Sequence, residues 1–157
     1  MQARMKKYGI SRNEIDTFLD SVLVGRLSTC NEDGYPYTVP VHFVYEDGKI
    51  YIHGLPQGKK LDNLKANDKV CFEADQMISL IEDGVEAPCD INTEYISVIA
   101  FGKAGLLTEV TQKCQILNKV VQKYTPRLQG RPLPENMVKG TAIIEIEIME
   151  ITGKHYQ

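Results

Sequence analysis

The sequence has 157 residues, of which 43% are hydrophobic, so we predict a single globular domain, residues 1–157, with a core of ordinary size. The formal net charge is −3, which excludes a general basic surface for nucleic acid; any bound anion must be held by a local cluster of cations. No apolar run reaches the roughly 18 residues of a membrane span, and no signal-peptide segment follows the basic N-terminus, so we expect a cytoplasmic protein without membrane contact.

The first predicted element is an amphipathic helix. Ser11 and Glu14 have the spacing of a capping box, and apolar residues at helical spacing follow them. We therefore predict a helix over residues 12–21 whose apolar side covers a sheet. A first strand over residues 24–29 comes next, in which Arg26 and Ser28 share one face. A surface position is the default expectation for Arg26, and a position near a bound cofactor is the alternative.

The second predicted strand, residues 35–45, is rich in β-branched and aromatic residues but contains Pro36 and Pro40. Proline cannot donate a hydrogen bond to a β-ladder, so we expect a sheet edge or a bulge near Pro40. Such an interruption leaves backbone groups free to meet a ligand.

The most informative stretch is a strand, a tight loop and a helix over residues 50–61. The strand ends at Gly54 and the helix begins at Gly58, so Lys59 and Lys60 occupy its first turn. The helix dipole disfavours lysine there, whereas free backbone N–H groups and two ammonium groups together suit a phosphate. On spacing alone, a phosphate site and a pair of solvated surface lysines are equally good interpretations.

The second half of the chain predicts two strands separated by a loop. Residues 69–74 and 95–107 have strand composition. Residues 75–93 are punctuated by acidic residues, glycine and proline, so we expect a loop with at most one strand, around Ile78–Ile81. Gly102 and Gly105 interrupt the later strand, which indicates strong curvature or close approach of another backbone.

The C-terminal part predicts a helix, a proline-containing loop and a last strand. Thr111 is the expected N-cap of a helix over residues 112–124, and residues 125–139 are expected to form a loop. In the last strand, residues 141–151, the alternation of isoleucine and glutamate changes phase, which predicts a bulge near Met149 or fraying of the strand end.

Together these elements predict a mainly β fold, a six-stranded antiparallel barrel with helices at its corners. The four cysteines contain no CxxC pair, so we expect free thiols and no metal site.

The ordered set of motifs resembles the pyridoxamine 5′-phosphate oxidase-like FMN-binding split barrels, and within them the nitroimidazole-resistance (Nim-type) branch. The matching pieces are Gly-Arg-Leu-Ser-Thr at 25–29, Asn-Glu-Asp-Gly-Tyr-Pro-Tyr-Thr-Val-Pro-Val-His-Phe at 31–43, Ile-Tyr-Ile-His-Gly at 50–54, Gly-Lys-Lys-Leu at 58–61 and Ser-Val-Ile-Ala-Phe-Gly-Lys-Ala at 97–104. The resemblance implies a split β-barrel that binds FMN at the interface of a homodimer.

The resemblance also implies roles for particular residues around the flavin ring. Pro40, Val41 and His42 correspond to the strand that runs beneath the isoalloxazine. Ser97 corresponds to a polar contact that the oxidases make to the flavin from the second chain.

The flavin tail has its own set of implied contacts. His53 and Gly54 correspond to the strand end near the tail, and Gly58, Lys59 and Lys60 correspond to the phosphate clamp. With the resemblance added, the phosphate interpretation of the two lysines is the favoured one.

The implied activity is reduction of small, electron-poor compounds such as nitroaromatics by an FMN-dependent oxidoreductase. The vitamin B6 oxidases grip their substrate with a tryptophan-containing C-terminal segment, and this chain has no tryptophan, which argues against pyridoxamine-phosphate oxidation. The flavin would carry the redox chemistry, so no catalytic residue is assigned. The alternatives are a non-catalytic flavin or haem carrier, with His42 or His53 as axial ligand, and a dimerisation module with an empty cleft.

Overall fold

The protein is described here by a computed structural model covering residues 7–157, in which seven strands and four helices form one mainly β fold. The strands are β1 (Gly25–Cys30), β2 (Pro36–Val41), β3 (Phe43–Glu46), β4 (Lys49–Gly54), β5 (Lys69–Ile81), β6 (Asn92–Leu106) and β7 (Ala142–Tyr156). The helices are α1 (Arg12–Ser21), α2 (Lys59–Ala66), α3 (Val110–Tyr124) and α4 (Glu135–Gly140), with 3₁₀ turns at Pro88–Asp90 and Pro126–Leu128. Within residues 7–157, no helix combines the length and the apolar content needed to cross a bilayer.

All seven strands form one antiparallel sheet in the order β2-β1-β5-β6-β7-β4-β3. The two edge strands, β2 and β3, are separated along the chain by His42 alone. The sheet must therefore curl until its edges meet at His42, which produces a split barrel. The predicted strand over residues 35–45 is divided at this residue, so the barrel has seven strands and not six. The expected sheet edge at Pro40 is confirmed, since β2 pairs with β1 only.

The inside of the curled sheet holds the main core, to which Leu27, Phe43, Phe72 and Ile146 contribute fully buried side chains. Helix α1 closes this core with three buried apolar residues, as its amphipathic pattern predicts. The predicted helix bounds and capping box are confirmed: the Ser11 hydroxyl accepts from the Glu14 backbone, and the Glu14 carboxylate accepts from the Ser11 backbone.

Helix α3 covers the outer side of β3, β4 and β7, where Ile116 packs with Val44, Tyr51 and Ile143. The helix begins two residues earlier than predicted, with Glu109 and not Thr111 as N-cap. The Glu109 carbonyl already accepts the Lys113 N–H at 3.0 Å, and this bond places Thr111 inside the first turn. The predicted loop after α3 contains helix α4, which starts after Pro134.

Strands β5, β6 and β7 are longer than predicted. The strand expected around Ile78–Ile81 is confirmed, but it is continuous with β5, because β5 pairs with β6 from Lys69 to Ile81. The bulge expected near Met149 is confirmed: Phe101 pairs with Glu150 and Gly102 with Ile148, so Met149 is left without a partner.

Candidate functional site

The open side of the barrel is marked by two histidines, His42 between β2 and β3 and His53 on β4. Phe43 pairs with Ile52, and this register places His42 opposite His53. Gly54, the last residue of β4, follows His53 directly. We call this region, formed by His42, His53 and Gly54, the seam of the barrel.

The N-terminus of helix α2 lies next to the seam and has no side-chain cap. Its N-cap is Gly58, whose φ of 127° is a conformation that glycine adopts without strain and other residues do not. Because the first N–H groups of a helix lack partners within the helix, the backbone of Lys59 and Lys60 offers free donors at this end. The Lys60 side chain turns back to the seam, and its Nζ lies 3.5 Å from the position that a Cβ on Gly54 would occupy.

The two lysines reach different strands. The Lys59 ammonium lies 5.3 Å from the centroid of the Tyr37 ring on β2, whereas Lys60 lies over Gly54 on β4. The helix itself is anchored by Asn63, a buried residue whose amide donates to the hydroxyl of Thr29 at 2.9 Å and to the side-chain oxygen of Asn31 at 3.0 Å. The structure therefore surrounds one helix N-terminus with two ammonium groups, at the place where the resemblance implies a phosphate clamp.

His53 is the half-buried polar group of the seam. Its Nδ1 is inaccessible to solvent and has no hydrogen-bond partner among residues 7–157. Burial lowers the pKa of His53 below its usual value, and the nearby His42 and Lys60 lower it further. His53 is therefore neutral near pH 7, with a ring nitrogen left for a ligand to satisfy.

A stability measurement tests whether His53 is neutral in the folded protein. We expect the free energy of unfolding to decrease as the pH falls below about 6.5, the ordinary histidine pKa. The unfolded chain then takes up a proton at His53 before the folded protein does, and the decrease ends once the folded-state pKa is passed. Urea unfolding of wild type and His53→Gln across this range isolates the contribution. A His53 imidazole that titrates at or above 6.5 in NMR would contradict the assignment.

Tyr124, at the end of α3, supports the other side of the seam. Its ring stacks on His42 with centroids 4.4 Å apart and planes 21° from parallel. Its hydroxyl accepts the Phe43 N–H at 2.8 Å and lies 2.8 Å from the carbonyl oxygens of Leu23 and Phe43, to one of which it donates. The sequence predicted Tyr124 only as the last residue of a helix, and no local signal links it to Phe43, 81 positions away.

We expect Tyr124→Phe to lower the free energy of unfolding by about 1–3 kcal/mol, because the partly buried Phe43 N–H loses its acceptor while the stack on His42 is kept. Urea unfolding measures the change. Tyr35→Phe is the matched control, since this ring is 71% exposed, and its stability should match that of the wild type. Equal stability of the Tyr124 variant would show that the hydroxyl does not hold the seam.

Ser97 lies three strands away from the end of β2. It pairs with Asp75 on β5 and Lys154 on β7. The registers of β1 with β2 and with β5, continued to Val24, align Asp75 with His42. At about 4.8 Å between neighbouring strands, Ser97 is about 15 Å from His42 across the sheet. The contact of Ser97 with the flavin of a second chain stays a prediction.

The remaining predicted site residues have simpler surroundings. Pro40 and Val41 form the end of edge strand β2, directly before His42. Arg26 pairs with Glu73 at 2.9 Å and with Asp75 on the outer face of the sheet, which accounts for it as a surface residue. Among residues 7–157 no group of three or more His, Cys, Asp or Glu side chains is placed to hold a metal ion, and the four cysteines are unpaired.

A split antiparallel barrel with a helix N-terminus at its seam is the architecture of a class of flavin-binding proteins. The chain belongs to the pyridoxamine 5′-phosphate oxidase family, whose sequence profile matches residues 11–155. Flavin binding is typical of this family, and some relatives bind FAD or haem.

Three solved structures illustrate the relatives that share this fold. A candidate 5-nitroimidazole antibiotic resistance protein from Bacteroides thetaiotaomicron is 22% identical, with a TM-score of 0.82 and coverage of 94% of this chain and 86% of that chain. The flavocytochrome Anf3 from Azotobacter vinelandii is 22% identical, with a TM-score of 0.84 and coverage of 99% and 72%. An FAD-binding protein from Mesorhizobium loti is 25% identical, with a TM-score of 0.67 and 94% of both chains covered. No curated protein matches the sequence.

Proposed function

We propose that the protein is an FMN-binding flavoprotein of the Nim-type branch that reduces small, electron-poor aromatic compounds, with nitroimidazoles as the leading substrate class. It acts as a homodimer in the cytoplasm, where its four unpaired thiols remain reduced. The observation that carries the proposal is the uncapped N-terminus of α2 at the seam, with Lys60 over Gly54 beside a neutral His53.

The charge and hydrogen-bonding groups at α2 suit a terminal phosphate. A phosphate monoester is a compact dianion, and it can accept from the free N–H groups of Lys59 and Lys60 while both ammonium groups neutralise it. The site fits FMN in this respect. FAD carries a diphosphate with adenosine beyond it, so tighter binding of FAD than of FMN would contradict this part of the proposal.

The ring of the cofactor would lie along the seam. β2 is an edge strand, so its outward backbone groups are free to bond the polar edge of a planar ligand, and the unpartnered Nδ1 of His53 offers one more hydrogen bond without adding charge. Bound flavin supplies the electron-transfer chemistry itself. The chain's own contribution is to hold the ring, exclude water from one side and leave the other side open to substrate.

The homodimer is supported by the outer face of the sheet. Phe101 on β6 is 52% exposed and Met149 at the β7 bulge is 68% exposed, with Ile99 beside them. An exposed apolar group of this kind on a sheet face marks an interaction surface. Ser97 lies on the same strand and face as Ile99, so a partner packed here would lie close to Ser97.

The test begins with the visible spectrum of the purified protein, in which the absorption bands of an oxidised flavin are expected. The flavin is then reduced anaerobically and mixed with a nitroimidazole. We expect the oxidised spectrum to return as the nitro compound is reduced. A flavin that stays reduced would remove this activity while leaving the flavoprotein assignment in place.

A haem-carrying protein of the same fold is the second candidate. The unpartnered Nδ1 of His53 could serve as an axial ligand, and solved structures of this fold include a flavocytochrome and an FAD and haem binding protein. A Soret band in the purified protein, lost in His53→Gln, would favour haem. A colourless protein that leaves the fluorescence of added FMN unquenched would instead favour a dimerisation module with an empty cleft.

A further inference from the structure

Arg26 on β1 binds two carboxylates of the neighbouring strand β5. Its Nη1 donates to the Glu73 carboxylate at 2.9 Å and also to the Asp75 carboxylate. Glu73 and Asp75 are two residues apart on β5, so both side chains lie on the outer face of the sheet. We call Arg26, Glu73 and Asp75 the outer cluster. With both carboxylates ionised, the outer cluster carries one negative charge in excess.

The strand registers place the outer cluster beside the strand along which the flavin ring is proposed to lie. Arg26 pairs with Pro40 on β2 and with Glu73 on β5. At about 4.8 Å between neighbouring strands, Glu73 is about 10 Å from Pro40 across the sheet. Two positions further along, the same registers align Asp75 with His42 at the same separation. The outer cluster therefore lies next to the seam of its own chain.

The other side of the outer cluster borders the exposed apolar group that the proposed dimer would cover. Glu73 pairs with Ile99 on β6, which is 40% exposed, and Phe101 is the next residue of that strand on the same face. A partner packed on these side chains would also take the outer cluster out of water. Because removal of water disfavours an excess charge, uptake of one proton, which makes the cluster neutral, becomes more favourable.

The surroundings of the two carboxylates favour a proton on Glu73. Burial raises the pKa of Glu73 above its usual value; the hydrogen bond from Arg26 lowers it in part, and the negative charge of Asp75 raises it again. On β6 the side chains opposite both carboxylates are uncharged, and the next cation across the sheet is Lys154 on β7. Arg26 is therefore the cation that holds the pair together.

The proposed reaction needs one proton more than the flavin supplies. Reduction of a nitro group to a nitroso group takes up two electrons and two protons, and one oxygen leaves as water. An anionic reduced flavin provides the two electrons and one of the protons. His53 is neutral near pH 7, so it is a poor donor of the other proton.

We propose that Glu73 and Asp75, held by Arg26, share one proton and donate it to the nitro group of a substrate bound at the seam. This inference rests on the proposed FMN-dependent reduction. The carboxyl O–H bond breaks, an O–H bond forms on a nitro oxygen, and that oxygen leaves nitrogen as water, while two electrons and the other proton come from the reduced flavin. The pair regains its proton from solvent before the next turnover.

Reoxidation of the anaerobically reduced, FMN-loaded protein tests the step in a single turnover. The variant is Glu73→Gln with Asp75→Asn, which keeps hydrogen-bond acceptors for Arg26 but has no carboxyl proton. We expect a 5-nitroimidazole to reoxidise the variant about 100-fold more slowly than wild type, as for loss of a general acid. Ferricyanide takes up electrons without protons and should reoxidise both proteins at the same rate. The wild-type rate with the nitroimidazole should fall as the pH rises, and the rate of the variant should not.

A matched variant and a second measurement accompany this test. Glu135→Gln removes a carboxylate that pairs with Lys139 on α4, and it should leave both rates unchanged. Carbon-13 NMR of the side-chain carboxyl groups, recorded without FMN, should show Glu73 releasing its proton above the usual pH for glutamate. Asp75→Asn should lower this pKa, because it removes the neighbouring negative charge. A Glu73 carboxyl that titrates at or below the usual value would overturn the shared proton.

The outcomes separate this inference from the function on which it rests. If the wild-type flavin is reoxidised by the nitroimidazole and the double variant is equally fast, the proton comes from elsewhere and the proposed function stands. Equal slowing with the nitroimidazole and with ferricyanide would show that the pair acts on the flavin and not as a donor to substrate. A wild-type flavin that the nitroimidazole leaves reduced overturns the proposed substrate and the proton donor together.

Discussion

Replacing both Lys59 and Lys60 with alanine is expected to weaken FMN binding about 100-fold or more. Charge-assisted hydrogen bonds contribute about 1.5–3 kcal/mol each, and about 1.4 kcal/mol corresponds to a tenfold change in affinity. Lys59 is exposed and its contribution is therefore at the lower end of this range, whereas Lys60 is partly covered over Gly54. Quenching of FMN fluorescence during titration of the apoprotein measures the change.

Two comparisons make this result specific. Lys65→Ala removes another lysine of the same helix, one that pairs with Asp62 at 2.8 Å away from the N-terminus, and it should leave FMN affinity unchanged. Riboflavin lacks the phosphate, so the double variant should bind it as wild type does. If the double variant keeps wild-type FMN affinity, or loses riboflavin and FMN affinity equally, the phosphate assignment at α2 is wrong.

Gly102→Ala is expected to destabilise the fold by about 2–3 kcal/mol. A Cβ at this position would lie 2.3 Å from the backbone oxygen of Glu147 and 2.9 Å from a side-chain carbon of Ile146. The first of these atoms belongs to the neighbouring strand β7, so relief requires the two strands to separate next to the Met149 bulge. Urea unfolding measures the loss.

Gly105→Ala, three residues along the same strand, is the matched control. A Cβ there has no atom within 4 Å, so the variant should be as stable as wild type or slightly more stable, through the lower entropy of its unfolded chain. Equal stability of the two variants would show that β6 and β7 do not approach as closely as described.

These two glycines show how far the sequence could predict the fold. Both interrupt a strand pattern, which predicts strong curvature or close approach of another backbone. Close approach is found at Gly102 and not at Gly105. Signals confined to a few neighbouring residues were more dependable. The capping box at Ser11 and the bulge near Met149 were each predicted from a few neighbouring residues, and both are confirmed.

Features that depend on distant contacts were not predictable. The division of the second strand at His42 follows from closure of the whole sheet, and the length of β5 and β6 follows from the pairing between these two strands. Tyr124 and Asn63 support the candidate site through partners 81 and 34 positions away, respectively. A single sequence shows that such residues are helical, but not which surface they meet.

The structure brings most of the predicted site residues together. His42, His53, Gly54 and Lys60 lie together, and Lys59 extends from the same helix turn to Tyr37. Pro40 and Val41 lead into His42 along the edge strand. Ser97 is the exception: it lies on β6, three strands from His42, and its contact with the flavin of a second chain stays a prediction.

A crystal structure of the protein with FMN tests the central claim most directly. We predict that the phosphate accepts hydrogen bonds from the backbone at Lys59 and Lys60, that the ring lies along Pro40–His42, and that the partner's Ser97 faces the ring. A phosphate found elsewhere, with the N-terminus of α2 open to solvent and both lysine side chains turned away from the ligand, would contradict the account.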